Sequence, residues 1–315
     1  MATVLRLLAL FLILPVATPV VRSGQLQIEV SGGSVVERAQ SGVGIWANSP
    51  NVRVSVANDS QSFYNGTVRW RNVPAGSYLV TGRGVAEAAT NTAGMLVASL
   101  TLAGGGRGQW RLEPNLPRDY RFAVAPSVKP GLSLLPDAAN QRPHFAVKIG
   151  GTGAVPAMDL AEDLAFPTYL LPGLRDRPDT IRQRLGTPYG AFAVGPDRFL
   201  LLDNRDHRLG TQQLDWAGKR LQDFRLDGAR RVFVFMHRPP VDPRRKVRNG
   251  LADRQEARRL ARLLKTVRTA AIFAGQVNRS YMRTWYGIKT YMLTDKDVMV
   301  VESKGADLSV RLAIH

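Results

Sequence analysis

Three short runs in the second half of the chain, RFLLLD (198–203), RVFVFM (231–236) and AAIFA (270–274), are apolar at nearly every position. A strand wetted on one face alternates apolar with polar residues; a strand covered on both faces does not. Between these runs the period changes from two to 3.6. In 211–224, Leu214, Ala217, Leu221 and Phe224 share one helical face. In 251–267, Ala257, Leu260, Leu263, Leu264 and Val267 do the same, with Arg254, Arg258, Arg262 and Lys265 turned outward. Buried strands alternating with amphipathic helices require a layered α/β domain. HFAVKI, TYLL, KTYMLT, DVMVVE and DLSVRLA add further strands over 144–315. The last of them follow one another without helices, which predicts antiparallel additions to the sheet.

The preceding part of the chain has a different texture. Over 24–125, QLQIEV, NVRVSVA, GTVRWR, SYLVT, MLVASLTL, GQWRL and YRFAV are short and separated by Gly, Asn, Ser and Pro. Val52, Val54 and Val56 alternate with Arg53 and Ser55, and Val68 and Trp70 with Arg69 and Arg71. That pattern buries one face and wets the other, and it predicts an all-β sandwich. Residues 126–143 hold four prolines and little periodicity, which reads as a linker. Residues 1–23 open with a short basic stretch and the apolar core LLALFLIL, and end before Gly24. They read as a signal peptide cleaved after Ser23, or as an N-terminal membrane anchor if left uncleaved. No later segment is long and apolar enough to cross a bilayer as a helix. The N-terminal segment predicts export, and since the chain has no cysteine, and so no disulfide framework, the expected location is periplasmic or secreted from a bacterium.

The formal net charge of +18 is carried mostly by arginine. Such a charge either attracts polyanions (nucleic acid, phosphorylated lipid surfaces or acidic polysaccharide) or reflects an arginine-rich proteome. No specific nucleic-acid motif accompanies it. The run PRRKVR (243–248) reads as an exposed loop without the interleaved aromatics that single-stranded nucleic acid requires.

Taken in order, the second domain resembles a calcineurin-like metallophosphoesterase. HFAVKIGGTG (144–153) stands where that family opens on a strand ending in Asp-x-His. FPTYLLPGLRDR (166–177) is similar to its strand followed by Gly-Asn-His-Asp, and YGAFAVGPDRFLLLD (189–203) to its β-hairpin. VFVFMHRPP (232–240) is similar to the strand ending in His-x-Pro, and AAIFAGQVNRSY (270–281) to the Gly-His-x-His turn. NVPAGSYLVTG in the first domain resembles transthyretin-like accessory domains. A β-sandwich ahead of such a domain resembles the layout of purple acid phosphatases. The resemblance implies a four-layer α/β (α+β) sandwich over 144–315, preceded by a β-sandwich over 24–125, and a dinuclear Fe, Mn or Zn centre for phosphoric ester hydrolysis.

The side chains that would hold that centre are mostly missing. Gly150 and Thr152 stand at the Asp-x-His position, Leu174 and Arg175 within the Gly-Asn-His-Asp position, and Gln276 and Asn278 replace both turn histidines. The stretch from Thr152 to Pro172 is too short for the unit that carries the family's bridging aspartate, and Asp159 and Asp163 within it fall on a helix face. Only His237 keeps a ligand position, with Asp176 as a supporting remnant. No cofactor is therefore expected, and Gln276 and Asn278 read as polar substitutes that keep the turn hydrogen-bonded.

Other readings attach to the remaining polar groups. His237 is either a remnant ligand and base or a histidine held by its neighbours. GGTG at 150–153 is either a phosphate-cradling turn or a plain tight turn. Arg175, Arg238 and Arg279 either bind an anion or replace metal charge by pairing with Asp176 or Asp203. Three functions stay open: an exported pseudoenzyme that binds an anionic partner or joins an envelope assembly, a phosphoesterase with a partial metal site built on His237 and Asp176, and a basic polyanion-binding envelope protein.

Overall fold

The computed structural model describes residues 20–81, 86–92, 94–126, 138–150, 164–242 and 249–313. Ten strands occupy the first part: β1 (Val20–Ser23), β2 (Leu26–Ser31), β3 (Gly33–Ala39), β4 (Gly42–Ala47), β5 (Arg53–Asn58), β6 (Tyr64–Arg71), β7 (Tyr78–Thr81), β8 (Ala86–Thr92), β9 (Met95–Leu102) and β10 (Arg107–Glu113). They form two five-stranded sheets, ordered β1-β2-β5-β10-β7 and β3-β4-β6-β9-β8. Both sheets feed one core. Ile28, Val54 and Trp110 of the first meet Ile45, Trp70 and Leu100 of the second. The alternation in β5, β9 and β10 decides which face turns inward. Each large side chain so buried contributes about 1.5–3 kcal/mol. Val20–Ser23, expected within the leader, pair antiparallel with β2 at the sheet edge.

The second part holds β11 (Tyr120–Pro126), β12 (Phe145–Ile149), β13 (Thr168–Leu171), α1 (Pro178–Leu185), β14 (Gly190–Val194), β15 (Asp197–Leu202), α2 (Gly210–Leu226), β16 (Arg231–Met236), α3 (Arg254–Leu264), β17 (Thr269–Ala274), β18 (Tyr281–Trp285), β19 (Ile288–Met292), β20 (Val298–Lys304) and β21 (Asp307–Ala313). Two mixed sheets result, ordered β13-β12-β11-β20-β21 and β14-β15-β16-β17-β19-β18. Their facing sides share an aromatic core. Phe122 stacks on Phe145 at 5.3 Å and meets Phe199 and Phe233 edge-on at 5.4 and 5.3 Å. On the outer side of the six-stranded sheet, Leu214 and Leu221 of α2 and Leu260 and Leu264 of α3 cover Leu200, Val234 and Ile272. Strands β15, β16 and β17 are therefore covered on both faces, which is why they read as continuous apolar runs.

One boundary falls elsewhere than the sequence places it. YRFAV, expected in the first domain, is β11, the middle strand of the second part's five-stranded sheet. It lies parallel to β12 and antiparallel to β20. Its residues are buried on both faces, apart from partly exposed Arg121. A sandwich strand with one wet face cannot have that pattern. The expected linker therefore begins on the last residue of a strand, and its positions 127–137 lie outside the described residues. So do the segment 151–163, with the helix face assigned to Asp159 and Asp163, and the basic loop 243–248.

Two polar devices join these layers. Asn72 bridges the parts: its Nδ2 donates to the Thr168 carbonyl at 2.8 Å, and its Oδ1 accepts from the Thr168 N–H at 2.6 Å. Beside this bridge Trp46 packs with Leu170, Ile181 and Leu185. At the other end of the second part, the fully buried Asp197 carboxylate accepts from Tyr120 Oη at 2.6 Å and Ser303 Oγ at 2.9 Å. Arg230 adds Nε and Nη2 at 2.8 and 2.6 Å, and Arg231 Nη1 lies 3.8 Å from the same carboxylate. Tyr120 and Ser303 belong to one sheet and Asp197 to the other, so the carboxylate clamps the pair. Among the described residues, no helix is long and apolar enough to cross a membrane.

Candidate functional site

The carboxyl ends of β12, β13, β16 and β17 lead into the turns to which the sequence assigns ligand positions. After β12, Gly150 takes φ +74° and donates its N–H to the Leu171 carbonyl at 2.7 Å. After β13, the turn 173–176 closes when Asp176 Oδ2 accepts from the Gly173 N–H at 2.7 Å. That places Asp176 inside, 6 % exposed, and turns Leu174 outward, 53 % exposed. After β16 stands His237, 1 % exposed. Its Nε2 accepts the Leu174 N–H at 3.3 Å. After β17, Gly275 donates its N–H to the His237 carbonyl at 3.2 Å. A Cβ at Gly275 would lie 3.1 Å from Pro126 Cβ, so a larger residue there would require Pro126 to shift by a few tenths of an ångström.

The electrostatics follow from this burial. Burial, reinforced by Arg238 and only partly opposed by Asp176, pushes the His237 imidazole down to about 3. It is neutral at pH 7 and uses its Nε2 lone pair inside the protein. Lys148, 2 % exposed, points its Nζ at the Gly150 carbonyl, 2.8 Å away. Burial lowers its pKa to about 8, against the favourable field of the Asp176 carboxylate. Arg205 reaches Asp203 Oδ2 at 3.5 Å and donates to the Asp176 carbonyl at 3.3 Å. Burial raises the Asp203 carboxyl, and Arg205 acts against that rise.

The three arginines singled out in the sequence do different things. Arg238 is buried, donating Nε to the Arg205 carbonyl at 2.9 Å and Nη1 to Asn249 Oδ1. Its backbone is held on both sides by the fully buried Asn204, which accepts the Arg238 N–H at 2.9 Å and donates to the Arg238 carbonyl at 2.8 Å. Arg175 and Arg279 are exposed. The cation that meets Asp203 and the Asp176 backbone is Arg205, not one of the predicted three. Gln276 takes φ +61°, and its carbonyl accepts from Asn249 Nδ2. Gln276 thus belongs to the hydrogen-bonded turn through its backbone, whereas Asn278 is exposed. Thr152 lies outside the described residues.

The side chains that sequence reading passed over are Lys148, Asn204, Arg205 and Asn249. Only Lys148 left a clear trace, as the one charge inside the apolar run HFAVKI.

A dinuclear metal centre needs several oxygen or imidazole donors converging from these strand ends. Gly150 offers no side chain, Leu174 offers carbon, His237 Nε2 is taken by a backbone N–H and Asn278 faces solvent. The described residues do not fit such a centre. Among the described residues, no group of three or more His, Cys, Asp or Glu is gathered to hold a metal ion.

No protein-family model matches the chain, and no curated protein matches it. Solved structures do. Similar structures include a dimetal phosphatase from Danio rerio, at 14 % identity and TM-score 0.48, over 61 % of this chain and 95 % of that one. Another is GAP50, the anchor in the inner membrane complex of Plasmodium, at 14 % identity and TM-score 0.46, over 62 % and 84 %. A third is a putative 5'-nucleotidase from Staphylococcus aureus, at 14 % identity and TM-score 0.41, over 61 % and 53 %. These neighbours have the calcineurin-like metallophosphoesterase fold.

Proposed function

We propose that the protein is an exported, two-domain pseudoenzyme: a four-layer metallophosphoesterase-like domain behind an all-β sandwich, with the catalytic strand ends turned into structure. It acts by binding. The observation that carries this reading is His237, whose Nε2 accepts the Leu174 N–H at 3.3 Å, in place of a ligand bond. The surrounding hydrogen bonds from Asn204, Arg238 and Asn249 make the same region a rigid, filled floor. Arg254, Arg258, Arg262 and Lys265 are exposed along α3, and they favour an anionic partner within an envelope assembly.

The test is the metal content of the purified protein, with hydrolysis of bis(p-nitrophenyl) phosphate in added manganese. No stoichiometric metal and no turnover are expected. Bound metal at one or two equivalents, with turnover abolished by His237→Ala, would overturn the reading in favour of a phosphoesterase with a partial site. Partner binding through α3 is tested by salt: affinity for a polyanion should fall steeply between low and physiological ionic strength.

A further inference from the structure

A cleft of about 180 Å³ runs between the two parts of the chain, lined by the β2–β3 turn and Asn48 on one side and by residues 185–192 and α2 on the other. None of Gly150, Leu174, His237 or Gln276 lines it, so it is separate from the strand-end region. Clefts between domains are among the preferred places for small ligands to bind.

Its chemistry is specific. Tyr189 and Trp216 form one wall, their ring centroids 4.8 Å apart and their planes at 57°. Among the described residues, Arg220 is the one charged side chain in the lining. It is half-buried, and its ion pair with Asp223, at 3.4 Å, occupies Nη1 alone. The neutral polar side chains have largely spent their donors within the protein. Asn48 Nδ2 donates to the Leu185 carbonyl at 2.7 Å and to Ser34 Oγ at 3.5 Å. Ser49 Oγ is shared between the Gly32 and Asn51 carbonyls, both at 3.2 Å, and Thr187 Oγ1 donates to the Tyr189 carbonyl at 2.9 Å. The lining offers the buried Asn48 Oδ1 acceptor, the aromatic faces of Tyr189 and Trp216 with their own O–H and N–H donors, and the Arg220 cation. A matching ligand supplies hydroxyl donors, an apolar ring face and an acid group.

We propose that this cleft binds a pyranose ring carrying an acid group, its C–H face against Tyr189 and Trp216 and its carboxylate or phosphate on Arg220. Burying the ring against aromatic surface and pairing the acid with a guanidinium are both favourable. Gly190 supplies a clean control. It lines the cleft, and a Cβ added there meets nothing within 4 Å, so the first carbon of Gly190→Val enters open space.

The test is calorimetric titration of the full chain with D-glucuronate, glucose 6-phosphate and D-glucose. Saturable binding of at least one of the two acidic sugars is expected, and the stronger of them shows which acid group Arg220 takes. Neutral glucose should bind at least tenfold more weakly. Arg220→Gln should raise Kd at least tenfold, and Gly190→Val should abolish binding while leaving the thermal midpoint unchanged. The proposal fails if neither acidic sugar binds saturably, or if binding survives both substitutions. It also fails if benzoate binds as well as the acidic sugars, which would assign the cleft to aromatic acids. Hydrolytic inactivity has no bearing on any of these outcomes.

Discussion

Acidification from pH 7 to pH 5 should destabilise this protein through His237, and replacing that one residue should remove the effect. In the unfolded chain an imidazole titrates near 6.5. In the folded protein burial and Arg238 hold it at about 3. Between those values the unfolded state binds a proton that the folded state refuses. The stabilisation is therefore fully present above pH 6.5 and is lost progressively as pH falls toward 3. The slope in that window is about 1.4 kcal/mol per pH unit, and the loss between pH 7 and pH 5 is about 2 kcal/mol. Because His237 is only 1 % exposed, solvent screening takes little from this figure. The variant is His237→Gln, whose Oε1 can accept the Leu174 N–H and which does not titrate. Urea unfolding of both proteins at the two pH values is the assay. The carboxylates common to both cancel in the comparison. A stability drop smaller in the variant by about 2 kcal/mol is expected. Equal drops would refute the reasoning, since the imidazole would then be titrating freely in the folded state.

Three further substitutions probe other links. Asp197→Asn removes the charge that Arg230, Tyr120 and Ser303 all address; it should cost about 3–5 kcal/mol by urea unfolding, as breaking a buried ion pair does, and a cost below 1 kcal/mol would show that the clamp is idle. Asn72→Gly keeps the backbone at φ +64° but strands the Thr168 N–H; about 1–3 kcal/mol should be lost, and unchanged stability would remove the bridge from the account. Gln276→Gly relieves a side chain from φ +61° and should stabilise by about 0.5–1 kcal/mol after the entropy of glycine is set against the strain, measured as a raised thermal midpoint; a lowered midpoint would show that the glutamine side chain itself is needed.

The layers were legible wherever burial imposes a period. The continuous apolar runs of β15, β16 and β17 and the faces of α2 and α3 stand in the structure near the expected positions. Where the periodicity is weak, the sequence said less. Strands β3 and β4 escaped notice because VERAQSGVGIWA mixes charge, glycine and apolar residues without clear alternation. Helix α1 is only eight residues long, and its signals are Pro178 at the start and Gly186, at φ +75°, at the end. Such punctuation marks a boundary without showing what lies inside. At the strand ends, the sequence showed which ligand side chains are missing. It did not show what replaced them, because contacts such as Asn204 with Arg238 span 34 positions and leave no local pattern.

The central place of β11 changes how the chain can be divided. A fragment beginning at residue 144, where the composition changes, would lack the strand that β12 and β20 both pair with. Each would then present a bare edge of backbone N–H and C=O groups, flanked by Val, Ile and Phe. Edges of that kind recruit other chains. Cutting ahead of Tyr120 keeps the pairing whole, so the solubility of the two fragments should diverge sharply for a difference of about two dozen residues.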